Sequence, residues 1–337
     1  MKKEALLYDK LPHSEVQCRT CQRRCVIAEG AAGWCLTRVN EGGILYTRIY
    51  GEVSSLSVNP IEKKPVFHFY PGSRWLSLGS WGCNFRCPGC QNWDIAHWKG
   101  EDFEKGSYLA PEDQVDMALR HGCIGLSWTF NEPTLWFEYT LDTAKLAKKK
   151  GLYTNYVTNG FITEEAFDIL APYLDVYRVD VKGFSNTTYQ KIAHIPEFGS
   201  ILKVTEKAKE CGIHVEVVTN IIPGFNDDDT QLQGIASWIK KSLGSDTPWH
   251  VTRFYPDCKL AHLEETPITT LEHAQEIGKN CGIRYVYLGN VPGHKGENTY
   301  CYNCGTLLIE RYVFDVVNNR MQRGRCPECG ATIAGRF

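Results

Sequence analysis

The placement of cysteines limits what this chain can fold into more than any other feature. Fifteen occur in 337 residues, and eleven of them fall into three groups. The first is Cys18, Cys21, Cys25 and Cys35, the second Cys83, Cys87 and Cys90, the third Cys301, Cys304, Cys326 and Cys329. No stretch approaches the ~18 consecutive apolar residues of a membrane span. The start, MKKEALLYDKLPH, holds no apolar run of signal-peptide length, so the expectation is a cytoplasmic chain with no membrane partner. Disulfides are rare in that compartment, and grouped cysteines there are expected to be metal ligands or catalytic groups.

The counts assign different jobs. Four thiolates close the shell of a tetrahedral zinc or bind every iron of an iron–sulfur cube, whereas three leave one iron open to another ligand. The spacing therefore predicts two closed sites flanking one reactive site. The third group consists of two C-x2-C-Gly halves, CYNCG and CPECG, around the hairpin-like TLLIERYVFDVV. It reads as a zinc ribbon, with iron in the manner of a rubredoxin as the other choice. The first group, C-x2-C-x3-C-x9-C, fits zinc or an auxiliary iron–sulfur cluster equally well. Among the remaining cysteines, Cys123, Cys211 and Cys281 fall at helix-to-strand junctions and read as small core fillers.

A hydrophobic content of 43% with 23% charged residues excludes disorder and coiled coil, and a net charge of −2 excludes a dedicated polyanion binder. Residues 41–79 read as β structure, with ILYTRIY, VSSLSV and VFHFY as strands. From RWLSLGS onward, helical segments ending in Gly alternate with short apolar strands: CIGLSWTF, LYTNYVTN, VYRVDVKG, HVEVVTNII, WHVTRFYP and RYVYLGNV. That alternation predicts an α/β fold, a partial or complete parallel (β/α) barrel over 73–295, preceded by a four-cysteine segment (1–72) and followed by the ribbon (296–337). Polar residues gather at strand C-termini: Asn131 and Glu132, Thr158 and Asn159, Asp180 and Lys182, Thr219 and Asn220, Arg253 and Tyr255, Asn290. In a parallel barrel those ends form the active rim, which the three-cysteine loop shares.

WGCNFRCPGCQNW, placed after the first such strand, resembles the cluster loop of the radical S-adenosylmethionine superfamily. The resemblance implies that Cys83, Cys87 and Cys90 bind a [4Fe-4S] cluster whose fourth iron takes S-adenosylmethionine, with Gly89 and Gln91 beside the cofactor. It also implies reductive cleavage to a 5′-deoxyadenosyl radical, with an electron donor of flavodoxin or ferredoxin type as partner. FNEPTLWFEY and YRVDVKG resemble segments of pyruvate formate-lyase activating enzymes, which carries Asn131, Glu132, Asp180 and Lys182 over as S-adenosylmethionine contacts. The wider layout, with NPIEKKPVFHFYPGS and HVTRFYPDCKL, is similar to the AmmeMemoRadiSam-system radical enzymes. Two positions depart from the activase pattern: Gly89 stands where an aromatic residue lines the adenine, and Tyr255 where a His is expected. Phe85 or Trp93 would then supply the stacking surface.

Blander readings stand beside these. Glu132 also suits a helix start before Pro133, and Asp180 with Lys182 also suits a structural ion pair. Cys258, after Tyr255, Pro256 and Asp257, is a candidate hydrogen-donating or substrate-linking thiol, while His97, His294 and Lys295 read as surface groups. The implied function is activase-type hydrogen abstraction from a protein substrate. Modification of an RNA or a small molecule is the alternative, and a non-catalytic metal scaffold the second alternative.

Overall fold

The computed structural model describes residues 2–100 and 107–337. The chain is α/β with a mostly parallel central sheet, and it divides into two compact units. One comprises Met1–Asn59, Arg74–Tyr177 and Gly199–Ile213, the other Pro60–Ser73, Arg178–Phe198 and His214–Phe337.

In the first unit, strands β1 (Arg74–Gly79), β2 (Gly125–Trp128) and β3 (Tyr153–Thr158) lie parallel in sequence order, with Leu76 opposite Leu126 and Leu126 opposite Thr154. Every residue of β2, and every residue of β1 after Arg74, is buried. Burial on both faces is what turns parallel strands into near-continuous apolar runs. The helices α1 (Trp93–Ala96), α2 (Pro111–Arg120) and α3 (Phe137–Lys149) connect these strands. α2 opens with Pro111 at its first turn beside Glu112 and Asp113, and α3 closes on Lys148 and Lys149, each charge matching the helix dipole. Gly122 and Gly151 follow the two helices with φ of 64° and 74°, which releases the chain into the next strand. The core is aromatic: Trp75, Trp128, Trp136, Tyr139 and Tyr156 are all buried, and Trp136 stacks on Tyr139 at 4.3 Å.

Two small antiparallel sheets precede this core, one from Tyr8–Lys10, Val16–Cys18 and Val26–Ile27, the other from Lys3–Glu4, Ile44–Thr47 and Arg38–Glu41. Arg38 reaches from the second sheet into a two-pronged pair with Glu138 of α3, at 3.0 and 2.8 Å, both side chains almost completely buried.

The second unit takes up the same alternation. After β4 (Val176–Asp180), whose last three residues belong here, β5 (His214–Ile221), β6 (Trp249–Arg253) and β7 (Val286–Gly289) run parallel, with Val217 opposite Trp249 and Trp249 opposite Val286. The C-terminal segment forms the expected antiparallel hairpin, Leu307–Tyr312 against Asp315–Asn319, with Thr299–Tyr300 on its other side. Its buried residues Cys301, Leu308, Ile309 and Cys326 pack with Phe67, Tyr285 and Tyr287.

Three expectations need correction. VFHFY is not a strand, because the amides of Phe67 and His68 are claimed by the buried Glu216 carboxylate at 2.8–3.0 Å instead of by a neighbouring strand. Cys211 is exposed and Cys281 half-buried, so of the three junction cysteines only Cys123 fills core. Thr219 lies buried inside β5, where it donates to the Val181 carbonyl and accepts from Trp249 Nε1, both at 2.9 Å, so it ties the sheet together and does not belong to a rim.

Candidate functional site

The segment that leaves β1 is held in place from several directions. Asn131 is used at both ends, its Oδ1 accepting from Ser80 N at 3.0 Å and its Nδ2 donating to Gly82 O at 2.8 Å. The FNEP turn it belongs to is tight: Asn131 N donates to Thr129 O at 2.9 Å across Phe130, whose φ of 70° is rare for a bulky residue. Asn92 secures that turn by donating to Phe130 O at 2.7 Å. Arg86 crosses back under the loop, donating to the carbonyls of Cys83, Phe85 and Ala96 at 2.7, 3.1 and 3.4 Å. Cys83, Cys87 and Cys90 are half-buried on this loop.

Glu132 is the polar centre behind it. Oε1 accepts from Thr134 N, the Thr134 hydroxyl and the Thr158 hydroxyl at 3.0, 2.6 and 2.7 Å, and Oε2 accepts from Asn159 N at 2.8 Å. Asn159 in turn donates to Asn84 Oδ1 at 2.7 Å and approaches Cys83 Sγ at 3.8 Å, so the carboxylate positions the loop through Asn159. Burial pushes the Glu132 carboxyl upward, against its four donors. Burial first, and the nearby Glu132 carboxylate second, push the Cys83 thiol well above its ordinary range. A thiolate there calls for a bound cation to stabilise it, and the Phe85 amide, donating to Cys83 Sγ at 3.3 Å, suits a metal-bound sulfur. The donor set therefore fits a cysteine-held cluster.

Of the two aromatic residues expected to offer a stacking surface, Phe85 is 1% exposed and packed against Phe161, which removes it, whereas Trp93 is 48% exposed. Gly89 is half-buried and Gln91 exposed. In the second unit, Asp180 is flanked by Arg178 at 2.6 Å and Lys182 at 3.2 Å. Burial raises the Asp180 carboxyl, but the two cations outweigh it and its pKa lies below the ordinary value. Arg178 is the member of this trio that sequence reading missed. Tyr255 donates to Asn290 O at 2.9 Å, and Asn220 donates to Thr252 Oγ1 and Arg253 O at 3.1 Å. Cys258 is half-buried in a left-handed conformation, its amide bonded to Asp257 Oδ1 at 2.6 Å.

The two cysteine quartets differ in geometry. Among the described residues, Cys301, Cys304, Cys326 and Cys329 form the one group of ligand atoms all within 4.8 Å of one another, with Cys301–Cys329 and Cys304–Cys326 sulfurs at 3.6 Å. A tetrahedral ion with bonds of about 2.3 Å separates its sulfurs by about 3.8 Å, so the C-terminal four fit a single ion. Cys18, Cys21, Cys25 and Cys35 line a cavity instead.

The radical SAM superfamily matches residues 80–238. The uncharacterized protein MJ0808 of Methanocaldococcus jannaschii is 43% identical over 98% of both chains. The pyruvate formate-lyase 1-activating enzyme of Escherichia coli is 26% identical over 50% of this chain and 70% of its own. A radical SAM methyltransferase from Sphaerobacter thermophilus shares the fold, with a TM-score of 0.52 at 15% identity over 68% of this chain and 71% of its own. The superfamily implies a [4Fe-4S] cluster and S-adenosylmethionine, and the three-thiol loop just described falls within the matched residues. The chain is a radical SAM enzyme, and it belongs to the same family as MJ0808.

Proposed function

We propose that this enzyme abstracts a hydrogen atom from a protein partner, in the manner of a glycyl-radical activating enzyme. The observation that carries the reading is a loop bearing only three thiols, fastened by Asn131 and Arg86 and backed by the Glu132–Asn159 pair. Cys83, Cys87 and Cys90 would hold the cluster, which with S-adenosylmethionine supplies the 5′-deoxyadenosyl radical. The chain's own part is positional. Asn131 fixes where the loop leaves β1, and Asn159 holds Asn84 against Cys83. Glu132, with four donors from its own chain on it, acts by orienting Asn159 and the Thr158 hydroxyl. Trp93 is the exposed ring available to an adenine. In the second unit Asp180 and Lys182, with Arg178, offer a compact charged trio for a zwitterionic ligand. The 26% identity to an activating enzyme supports a protein substrate over the alternatives. The single-ion geometry of the C-terminal four supports zinc there.

The test is anaerobic. Reconstituted enzyme with dithionite and S-adenosylmethionine should form 5′-deoxyadenosine, and the Cys83→Ala/Cys87→Ala/Cys90→Ala variant should form none. Cell extract should then raise turnover, and protease treatment of the extract should abolish the rise while ribonuclease leaves it intact. A rise lost to ribonuclease alone moves the substrate to RNA. No 5′-deoxyadenosine under any condition sinks the enzymatic assignment of this loop.

A further inference from the structure

The N-terminal cysteines ask for a different occupant from the C-terminal four. Cys18, Cys21, Cys25 and Cys35 all line one cavity, whose lining also includes Arg38, Asn84 and Leu135. No three of their sulfurs lie within 4.8 Å of one another, although the C-terminal four meet that spacing. A single zinc draws four sulfurs to about 3.8 Å, whereas a cluster places iron and sulfide between its thiolates and needs them farther apart.

The lining points the same way. Arg38 and Asn84 are 1% and 0% exposed, and Arg38 Nε and Asn84 Nδ2 have no hydrogen-bond partner among the described residues. A buried guanidinium nitrogen and a buried amide left without acceptors are costly. A zinc enclosed by four thiolates offers only those four sulfurs, whereas a cluster adds bridging sulfides, and hydrogen bonds to cluster sulfur are a recognised means of tuning it. Thr37 already donates to Cys35 Sγ at 3.2 Å.

We propose that Cys18, Cys21, Cys25 and Cys35 hold a second iron–sulfur cluster, ligated entirely by the protein and therefore an electron carrier. Its cavity adjoins the three-cysteine loop. Asn84, which lines the cavity, follows Cys83 directly, and Arg23, another lining residue, donates to Asn84 O at 2.6 Å. Arg86 donates to Trp34 O at 3.2 Å. Gly82, with φ of 80°, approaches so closely that a Cβ there would lie 2.9 Å from Cys35 O and 2.7 Å from Thr37 Cγ2. The relay would be a one-electron step with no proton moved: a low-potential ferredoxin- or flavodoxin-type donor would be oxidised by one electron, and Cys18, Cys21, Cys25 and Cys35 would hold the group that supplies this electron toward the one held by Cys83, Cys87 and Cys90.

The site is tested separately from the relay, which rests on the function proposed above. Anaerobically reconstituted full-length chain is analysed for iron, sulfide and zinc, alongside the Cys83→Ala/Cys87→Ala/Cys90→Ala variant. The expected wild type carries about one zinc and six to eight irons, as four-cysteine sites hold two- or four-iron clusters. The triple variant should keep about two to four of those irons, with a reduced-state electron paramagnetic resonance signal that S-adenosylmethionine does not change. A wild type with about two zincs and four irons, or a triple variant without iron, overturns the site. For the relay, Cys18→Ser/Cys21→Ser should slow 5′-deoxyadenosine formation at least tenfold with a protein donor and far less with dithionite. Equal losses with both donors overturn the relay and leave the site standing.

Discussion

Glu132 shows how much one side chain can carry. Three donors converge on one oxygen and the Asn159 amide on the other, so the carboxylate is read as an acceptor at both ends. Glu132→Gln keeps the shape and forces an NH2 group to face at least one donor. The least crowded choice turns it toward Asn159 N, which gives up a charge-assisted bond worth about 1.5–3 kcal/mol. The expected outcome is a loss of about 2 kcal/mol in urea unfolding, with weaker retention of iron at the three-cysteine loop after desalting. Unchanged stability and iron content would show that Asn159 is positioned by something else. Glu132 was singled out in the sequence by its place at a strand C-terminus and by the resemblance of FNEPTLWFEY, which implied an S-adenosylmethionine contact. Two of its four donors were not legible as such, because Thr158 ends a separate strand and Asn159 follows it. Arg38 was equally hidden: nothing in local periodicity says that it meets Glu138, a hundred residues away.

At the scale of elements, the regular alternation of helix, glycine and strand made β1 to β7 legible, because each unit is local. VFHFY defeated the same reasoning. Its composition is that of a strand, but its amides go to Glu216, about 150 residues on. Tertiary competition for backbone donors is invisible to a pattern of residue types. Glycines in the first unit divide into two kinds that can be told apart by experiment. A Cβ on Gly125 would lie 2.4 Å from the Trp75 ring and 2.6 Å from Tyr153 O, inside the stacked strands. A Cβ on Gly122 meets nothing within 4 Å, and only its φ of 64° opposes substitution. Gly125→Ala should therefore cost the upper part of the roughly 1–3 kcal/mol typical of overpacking, and Gly122→Ala about 1 kcal/mol. Thermal unfolding of the two variants checks the order, and a Gly122→Ala variant less stable than Gly125→Ala would contradict the packing account.

Over the whole molecule, stability should depend on pH through two buried groups of opposite sign in the second unit. His68 donates from Nδ1 to the Ala334 carbonyl at 2.7 Å, since a carbonyl only accepts, so Nε2 must accept from the Tyr287 hydroxyl at 2.6 Å. That neutral tautomer is enforced by burial, which lowers the imidazole pKa to about 4, and the surrounding charges are Glu216, His214 and Arg311. A depressed histidine contributes stability that is full above its unfolded value of about 6.5 and is lost as pH falls toward 4, about 3 kcal/mol in all. Glu62 works the other way. Burial raises it to about 6 in spite of Arg311 at 3.6 Å, so its contribution is full below about 4.5 and is lost as pH rises through 6. Between pH 4.5 and 6 the two slopes oppose each other. Glu62→Gln should steepen the fall of stability on acidification, and His68→Gln should flatten it, each by up to one proton, or about 1.4 kcal/mol per pH unit. Glu216 and His250, whose pKa values are also lowered, are common to all three proteins and cancel in the comparison. Calorimetry across that window decides the matter: slopes shifted in the same direction by both substitutions would show that the buried pair does not titrate as its surroundings require.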